Sequence, residues 1–193
     1  MTELSAACAP HRPTSLASPW IERFASLVKD GGSVLDLACG HGRHARFFAA
    51  RGSHVLAVDR DPTALAALAG EARIEARALD LETGRWPLAG ERFDAIVVVN
   101  YLHRPLFPHL VAGLADDGVL LYETFARGNE AYGRPANPDF LLERDELLQL
   151  AAGALTVVAF EQGLVPGTER GAVVQRLAAV GLARPWPPVL PVR

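Results

Sequence analysis

Val34-Leu35-Asp36-Leu37-Ala38-Cys39-Gly40-His41-Gly42-Arg43-His44 decides how this chain is read. A short apolar run ends in an acid and passes into two glycines one residue apart. Seventeen residues beyond Gly42 a second apolar run, His54-Val55-Leu56-Ala57-Val58, also ends in an acid, Asp59. The layout is a strand, a glycine turn, a helix and a second strand with a carboxylate at its tip. Glycines at 40 and 42 put no Cβ in the way, so the backbone there can approach a ligand closely. Asp59 can accept hydrogen bonds from both hydroxyls of a ribose. The spacing points to a cofactor that contains a nucleoside.

Gly40-x-Gly42-x-x-Ala45 also fits the dinucleotide fingerprint, and Asp36 separates the two readings. In a dinucleotide fold the pyrophosphate lies over the glycine turn at a helix N-terminus. A carboxylate just before that turn would repel it. S-adenosylmethionine has no phosphate there and offers a sulfonium and an ammonium, which Asp36 suits directly or through a water. The run Leu35-Asp36-Leu37-Ala38-Cys39-Gly40-His41-Gly42 resembles the glycine-loop signature of class I S-adenosylmethionine-dependent methyltransferases. The resemblance covers about residues 20–180. It implies a single-domain, doubly wound α/β fold with a seven-stranded sheet in the order 3-2-1-4-5-7-6 and strand seven antiparallel.

The pattern along the chain agrees with alternating strands and helices. Residues 1–18, rich in Pro, Ser and Ala, are expected to be disordered. The domain follows over 19–183, and 184–193 form a Pro-rich tail. Helices are expected at 19–29, 43–51, 62–70, 106–114 and 141–152, with Ser18 and Asp61 as caps and Pro19 and Pro62 in first turns. Strands are expected at 33–37, 54–58, 74–79, 93–99, 119–124, 155–161 and 172–179. A turn is expected at 116–118, and a hairpin joins the last two strands through Pro166 and Gly167.

At 193 residues the chain fits one domain with a substantial core. No apolar run is long enough to cross a bilayer, and residues 1–19 lack the basic start and apolar core of a secretory signal. A formal charge of −3 gives no basic field for nucleic acid. Two cysteines, Cys8 and Cys39, are too few for a zinc site or a disulfide framework, so no metal is expected and a reducing cytoplasm is the default.

Ligands of open α/β sheets lie outside the carboxyl ends of the strands. Asp36, Ala38, Gly40, Gly42, Asp59, Arg60 and Asn100 are therefore candidates to hold the cofactor. Asp80 followed by Leu81 resembles the family's adenine-binding pair. Asn100-Tyr101-Leu102-His103-Arg104 follows the fourth strand, where the resemblance puts the transferred methyl group. His103 is the candidate base by its pKa range, with Tyr101 beside it, and the alternative for His103 is a capping or structural histidine. Cys39 is small enough for the turn and is not read as a nucleophile. His41 and His44 read as solvated.

The polar and aromatic segment 122–142 looks like that of small bacterial methyltransferases of the tellurite-resistance type. Arg104, Arg127, Tyr132, Arg134 and Asn137 could contact an acceptor, with 126–138 as a lid, and two arginines favour an anionic one. The alternative is a lid ordered by its own hydrogen bonds. The resemblance implies methyl transfer to a small molecule. RNA or protein methylation is disfavoured by the charge and by the absence of an Asn/Asp-Pro-Pro-aromatic clamp after strand four. A nicotinamide oxidoreductase is opposed by Asp36 and by the lack of a Tyr-x-x-x-Lys pair, Lys29 being the sole lysine. A non-catalytic cofactor-binding scaffold stays open, as do the accepting atom and the oligomeric state.

Overall fold

The computed structural model describes residues 16–166 and 171–191. Seven strands form one sheet: β1 (Ser33–Leu37), β2 (His54–Asp59), β3 (Ile74–Ala78), β4 (Phe93–Val99), β5 (Leu114–Phe125), β6 (Leu155–Val165) and β7 (Ala172–Gly181). Their spatial order is β3-β2-β1-β4-β5-β7-β6. The first five pair in parallel, and β7 runs antiparallel to both β5 and β6. This is the order and the strand reversal expected from the sequence.

Alternation along β1 explains the two layers. Leu35 and Leu37 face one side, where they join Ile96, Val98, Leu120 and Leu110 in one core. Val34 faces the other side, with Ala57, Val97, Phe24, Phe48 and Leu68 in a second core. By that period-two rule Asp36 shares the face of Val34, the face covered by α1 (Pro19–Phe24), α2 (Arg43–Ala50) and α3 (Pro62–Ala66). The opposite face carries α4 (Phe107–Ala112) and α5 (Glu146–Ala151). Burial on both faces is why β4 reads as an uninterrupted apolar run after Asp94.

The helices are shorter than their patterns. α1 stops at Phe24 and tightens into a 3₁₀ turn over Ala25–Leu27, because Val28 is already extended and the Lys29 carbonyl accepts from Gly32 in the turn that feeds β1. Past Ala66 the chain keeps turning with bonds to the third preceding residue. The largest departure is at 141–145. Leu142 pairs with the end of β5 through a parallel bridge to Ala126, so its backbone bonds are spent on Phe125 and Arg127 rather than on a helix.

The turn expected at 116–118 is a bulge inside β5. Phe93 pairs with Leu114, yet Ala95 pairs with Val119, so the intervening residues are looped out of the ladder. Gly118 sits there because a Cβ would meet the Phe93 carbonyl at 3.1 Å and the Ala115 backbone at 3.0 Å.

Residues 1–15 of the segment expected to be disordered lie outside the described residues, as do Gly167 in the hairpin loop and 192–193 in the tail. Ala17 and Ser18 are buried. Ser18 caps α1 through the Trp20 amide, and its hydroxyl donates to Glu123 Oε2 at 2.5 Å. At the other end Arg184 donates to the Leu27 and Asp117 carbonyls, which ties the start of the tail to the domain. Among the described residues no helix is long and apolar enough to cross a membrane.

Candidate functional site

The turn after β1 packs three left-handed residues into five, Ala38 at φ 53°, Gly40 at 54° and Gly42 at 74°. The chain can reverse so tightly because Cys39 donates to the Val58 carbonyl and Gly42 to the Cys39 carbonyl. The two glycines do different work. Open space lies where a Gly40 Cβ would stand, and Gly40 lines a hollow. A Gly42 Cβ would collide with the buried Leu68 side chain, so Gly42 is required for packing under α2.

Two hollows open at the carboxyl ends of the strands. The first, about 390 Å³, is lined by Asp59, Arg60, Asp80, Leu81 and Tyr101 among others. The second, about 350 Å³, is lined by Asp36, Gly40, Arg43 and His44. Ala38 and Asn100 line both, so together they make one elongated cleft across the sheet. Asn100, also left-handed at φ 58°, is held by its amide on the Glu123 carbonyl.

Asp59 joins turn to strand: Oδ2 accepts from the Gly40 amide at 2.8 Å and Oδ1 from Asp61 at 3.0 Å. Asp61, not Asp59, caps α3 through Thr63. Asp80 accepts from the Glu82 amide and is otherwise exposed on the cleft wall. Asp36 is buried, with Oδ2 accepting from Ala45 at 2.9 Å. Burial outweighs that bond and pushes its pKa up to about 7. Burial, reinforced by Asp36 and Asp59, also raises the Cys39 thiol, which is therefore no thiolate nucleophile near neutrality.

The histidines depart from their expected solvation in one case. His41 is exposed, but His44 is buried and accepts from the Ser18 amide through Nε2 at 3.2 Å. Burial drives its pKa down to about 3, so the ring is neutral.

Of the two catalytic candidates, Tyr101 lines the cleft and His103 is not among the lining residues. Tyr101 is fixed by its carbonyl, which accepts from Tyr122, and its hydroxyl donates to Glu82 Oε1 at 3.4 Å. Burial and then the Glu82 charge raise the Tyr101 pKa, making it a donor rather than a base. His103 begins the 3₁₀ turn Arg104–Leu106, its carbonyl accepting from Leu106.

The residues expected to grip an acceptor do not converge. Arg104 is committed to Glu146 (2.6 and 2.9 Å) and to the carbonyls of Asp139 and Leu141. Arg127 pairs with Glu143 at 2.7 Å in a separate hollow that also includes Gln162 and Gln175. Asn137 caps the short turn Pro138–Phe140. Tyr132 and Arg134 are exposed outside the lining. The anionic acceptor expected from Arg127 and Arg134 thus gains no support from this arrangement.

Sequence reading did not single out Leu79 or Glu82, and it gave no individual role to Leu102, Thr124, Phe125, Pro135 or Phe140 within the segments it marked; all seven line the cleft. Glu82 and Leu79 could have been found by extending the strand-end rule two residues either way. Pro135 and Phe140 come from a loop whose path no local pattern gives. The cluster of Ser18, Glu123, Arg176 and Glu161 was also missed, since its members are far apart in sequence.

The strand order is that of the fold found in solved S-adenosylmethionine-dependent methyltransferases, to which this chain is similar. Residues 34–116 match the family model described as a methyltransferase domain. Among solved structures, TehB from Haemophilus influenzae superposes with a TM-score of 0.71 at 18% identity, over 87% of this chain and 63% of that one. This chain therefore spans less than two thirds of that protein's length. A TehB-like S-adenosylmethionine-dependent methyltransferase from Corynebacterium glutamicum gives 0.58 at 20% identity, over 81% and 85% of the two chains. The 1,6-didemethyltoxoflavin-N1-methyltransferase of Burkholderia thailandensis gives 0.62 at 25% identity, over 84% and 76%, and was solved with 1,6-didemethyltoxoflavin and S-adenosylhomocysteine bound. No curated protein sequence matched this chain.

Proposed function

We propose that this chain transfers a methyl group from S-adenosylmethionine to a small-molecule acceptor. The observation that carries the reading is the elongated cleft whose two parts meet at Ala38 and Asn100, with Asp59 on one wall and Asp36 beneath the other end. The residues fit the group. Asp59 keeps lone pairs for ribose hydroxyls while it holds the Gly40 amide. Asp80 and Leu81 offer a carboxylate and an apolar surface for adenine, and Asp36, Ala38 and Gly40 suit the methionine end. Arg60 and Asn100 complete the cofactor wall.

When bound, S-adenosylmethionine supplies a methyl group already activated by its sulfonium. The chain's own residues then have to align an acceptor and exclude water. Tyr101 contributes by position and by its hydroxyl as a donor. The toxoflavin-precursor enzyme supports a small acceptor, and the net charge of −3 opposes an RNA one.

Calorimetry should show S-adenosylhomocysteine binding and no binding of NAD. Incubation with methyl-labelled donor and fractionated extract should then put label in the small-molecule fraction. Label in RNA or protein would overturn the small acceptor, and tighter binding of NAD would overturn the donor.

A further inference from the structure

Within the first hollow Tyr101, Thr124, Phe125, Pro135 and Phe140 carry no charge, and of these Tyr101 meets the charged residues through its hydroxyl, which donates to Glu82. The carboxylates lining the first hollow (Asp59, Asp80, Glu82) and the cation there, Arg60, come from the tip of β2 and from the segments after β2 and β3. An anion entering this hollow would meet three carboxylates and one arginine, while Arg104 and Arg127 are engaged with Glu146 and Glu143.

Two of these walls, exposed Phe140 and half-buried Pro135, are apolar groups held in place by polar ones. Phe140 is 51% exposed, unusual for a phenyl ring that packs into no core. The Arg104 guanidinium donates to the carbonyls on either side of it, Asp139 and Leu141, each at 2.9 Å, and is itself fixed by Glu146. Pro135 is fixed in the same manner: buried Asn129 donates to its carbonyl at 3.0 Å and accepts from Val173 at 3.1 Å. Buried or paired polar groups thus pre-set the position of two apolar residues that line the hollow. Such pre-organisation lowers the ordering cost of binding.

We infer that the acceptor is a flat, uncharged aromatic ring, seated against Tyr101, Phe125, Pro135 and Phe140. Arg104 is a positioning residue that holds Phe140 and does not touch the acceptor. Ring stacking against Phe and Tyr supplies affinity without a charged anchor. The inference rests on the proposed donor reading, which assigns the carboxylate-rich end to the cofactor.

The test uses the intact chain and two probes that share one ring system, isoquinoline and isoquinoline-3-carboxylate. Both are titrated near pH 7.5 by saturation-transfer NMR, with and without S-adenosylhomocysteine, whose own binding is measured first by calorimetry. Isoquinoline should bind at least tenfold more tightly than the carboxylate. Phe140→Ala should weaken isoquinoline at least tenfold, Phe140→Tyr should restore it, and both variants should bind S-adenosylhomocysteine as the wild type does. Arg104→Lys, which keeps the charge facing Glu146 but cannot span both carbonyls, should weaken isoquinoline alone. Equal or tighter binding of the carboxylate, no binding of either probe, or an unchanged affinity in Phe140→Ala would each overturn the proposal. Failure of S-adenosylhomocysteine to bind while isoquinoline binds would overturn the donor reading instead.

Discussion

The Asp59 carboxylate accepts a hydrogen bond from the Gly40 amide at 2.8 Å, tying the tip of the second strand to the glycine turn after the first. The same side chain thus shapes the turn and presents oxygen to the cleft. A residue with both tasks is sensitive to neutralisation as well as to truncation.

Asp59→Ala should weaken S-adenosylhomocysteine binding by about 1.5–3 kcal/mol, the usual range for charge-assisted hydrogen bonds. Asp59→Asn, which can still accept from Gly40, should lose less. Calorimetry on both variants checks this, and wild-type affinity in Asp59→Ala would mean that the second strand tip does not contact the cofactor.

The glycines should separate binding from stability. Gly40→Val, with open space at its Cβ position, should abolish cofactor binding while the fold survives with a strain of about 1–2 kcal/mol from its left-handed backbone. Gly42→Val adds a collision with Leu68 and should cost a further ~1–3 kcal/mol from overpacking. Thermal melts should place Gly42→Val clearly below Gly40→Val.

Asp36 and His44 should give opposing pH slopes in stability. Asp36 is raised from 3.8 to about 7, so its contribution is full below pH about 4 and is lost as pH rises through 7. His44 is lowered from 6.5 to about 3, so its contribution is full above pH 6.5 and is lost as pH falls toward 3. Melting temperatures from pH 4 to 7 should rise with pH in Asp36→Asn, where only the histidine slope remains, and fall with pH in His44→Gln. Parallel profiles in the two variants would refute the assignment.

His103→Gln should leave methyl transfer largely intact once an acceptor is in hand. Loss of a general base costs about 10²–10⁴ in rate, and His103 does not line the cleft. A fall of that size with unchanged donor affinity would return His103 to the catalytic role that its position after the fourth strand suggested.

Much of the architecture was legible in order and type. The largely apolar runs at 34–37, 54–58 and 93–99 read as strands, and all seven strands took the order that the resemblance implies. Element ends were less legible because they are set by partners. Leu141 and Leu142 read as the start of a helix, yet the backbone of Leu142 is claimed by β5. The triplet Asp116-Asp117-Gly118 has the composition of a turn, yet it forms a bulge because residues beyond it resume pairing with β4.

The site divides along the same line. By itself the sequence determined the glycine turn, the acid that ends the next strand and the cleft end they build, because a strand, a tight turn and a helix are joined by local bonds over a few residues. Tertiary structure alone decided the fate of the arginines and the acceptor end. Arg104 could equally have gripped a substrate or a carbonyl until Glu146, 42 positions away, came to lie 2.6 Å from it. Phe140 is a cleft wall because Arg104, distant in sequence, holds the carbonyls of Asp139 and Leu141 on either side of it. Side chains that reach across a fold find their partners by three-dimensional proximity, and a one-dimensional pattern does not encode that distance.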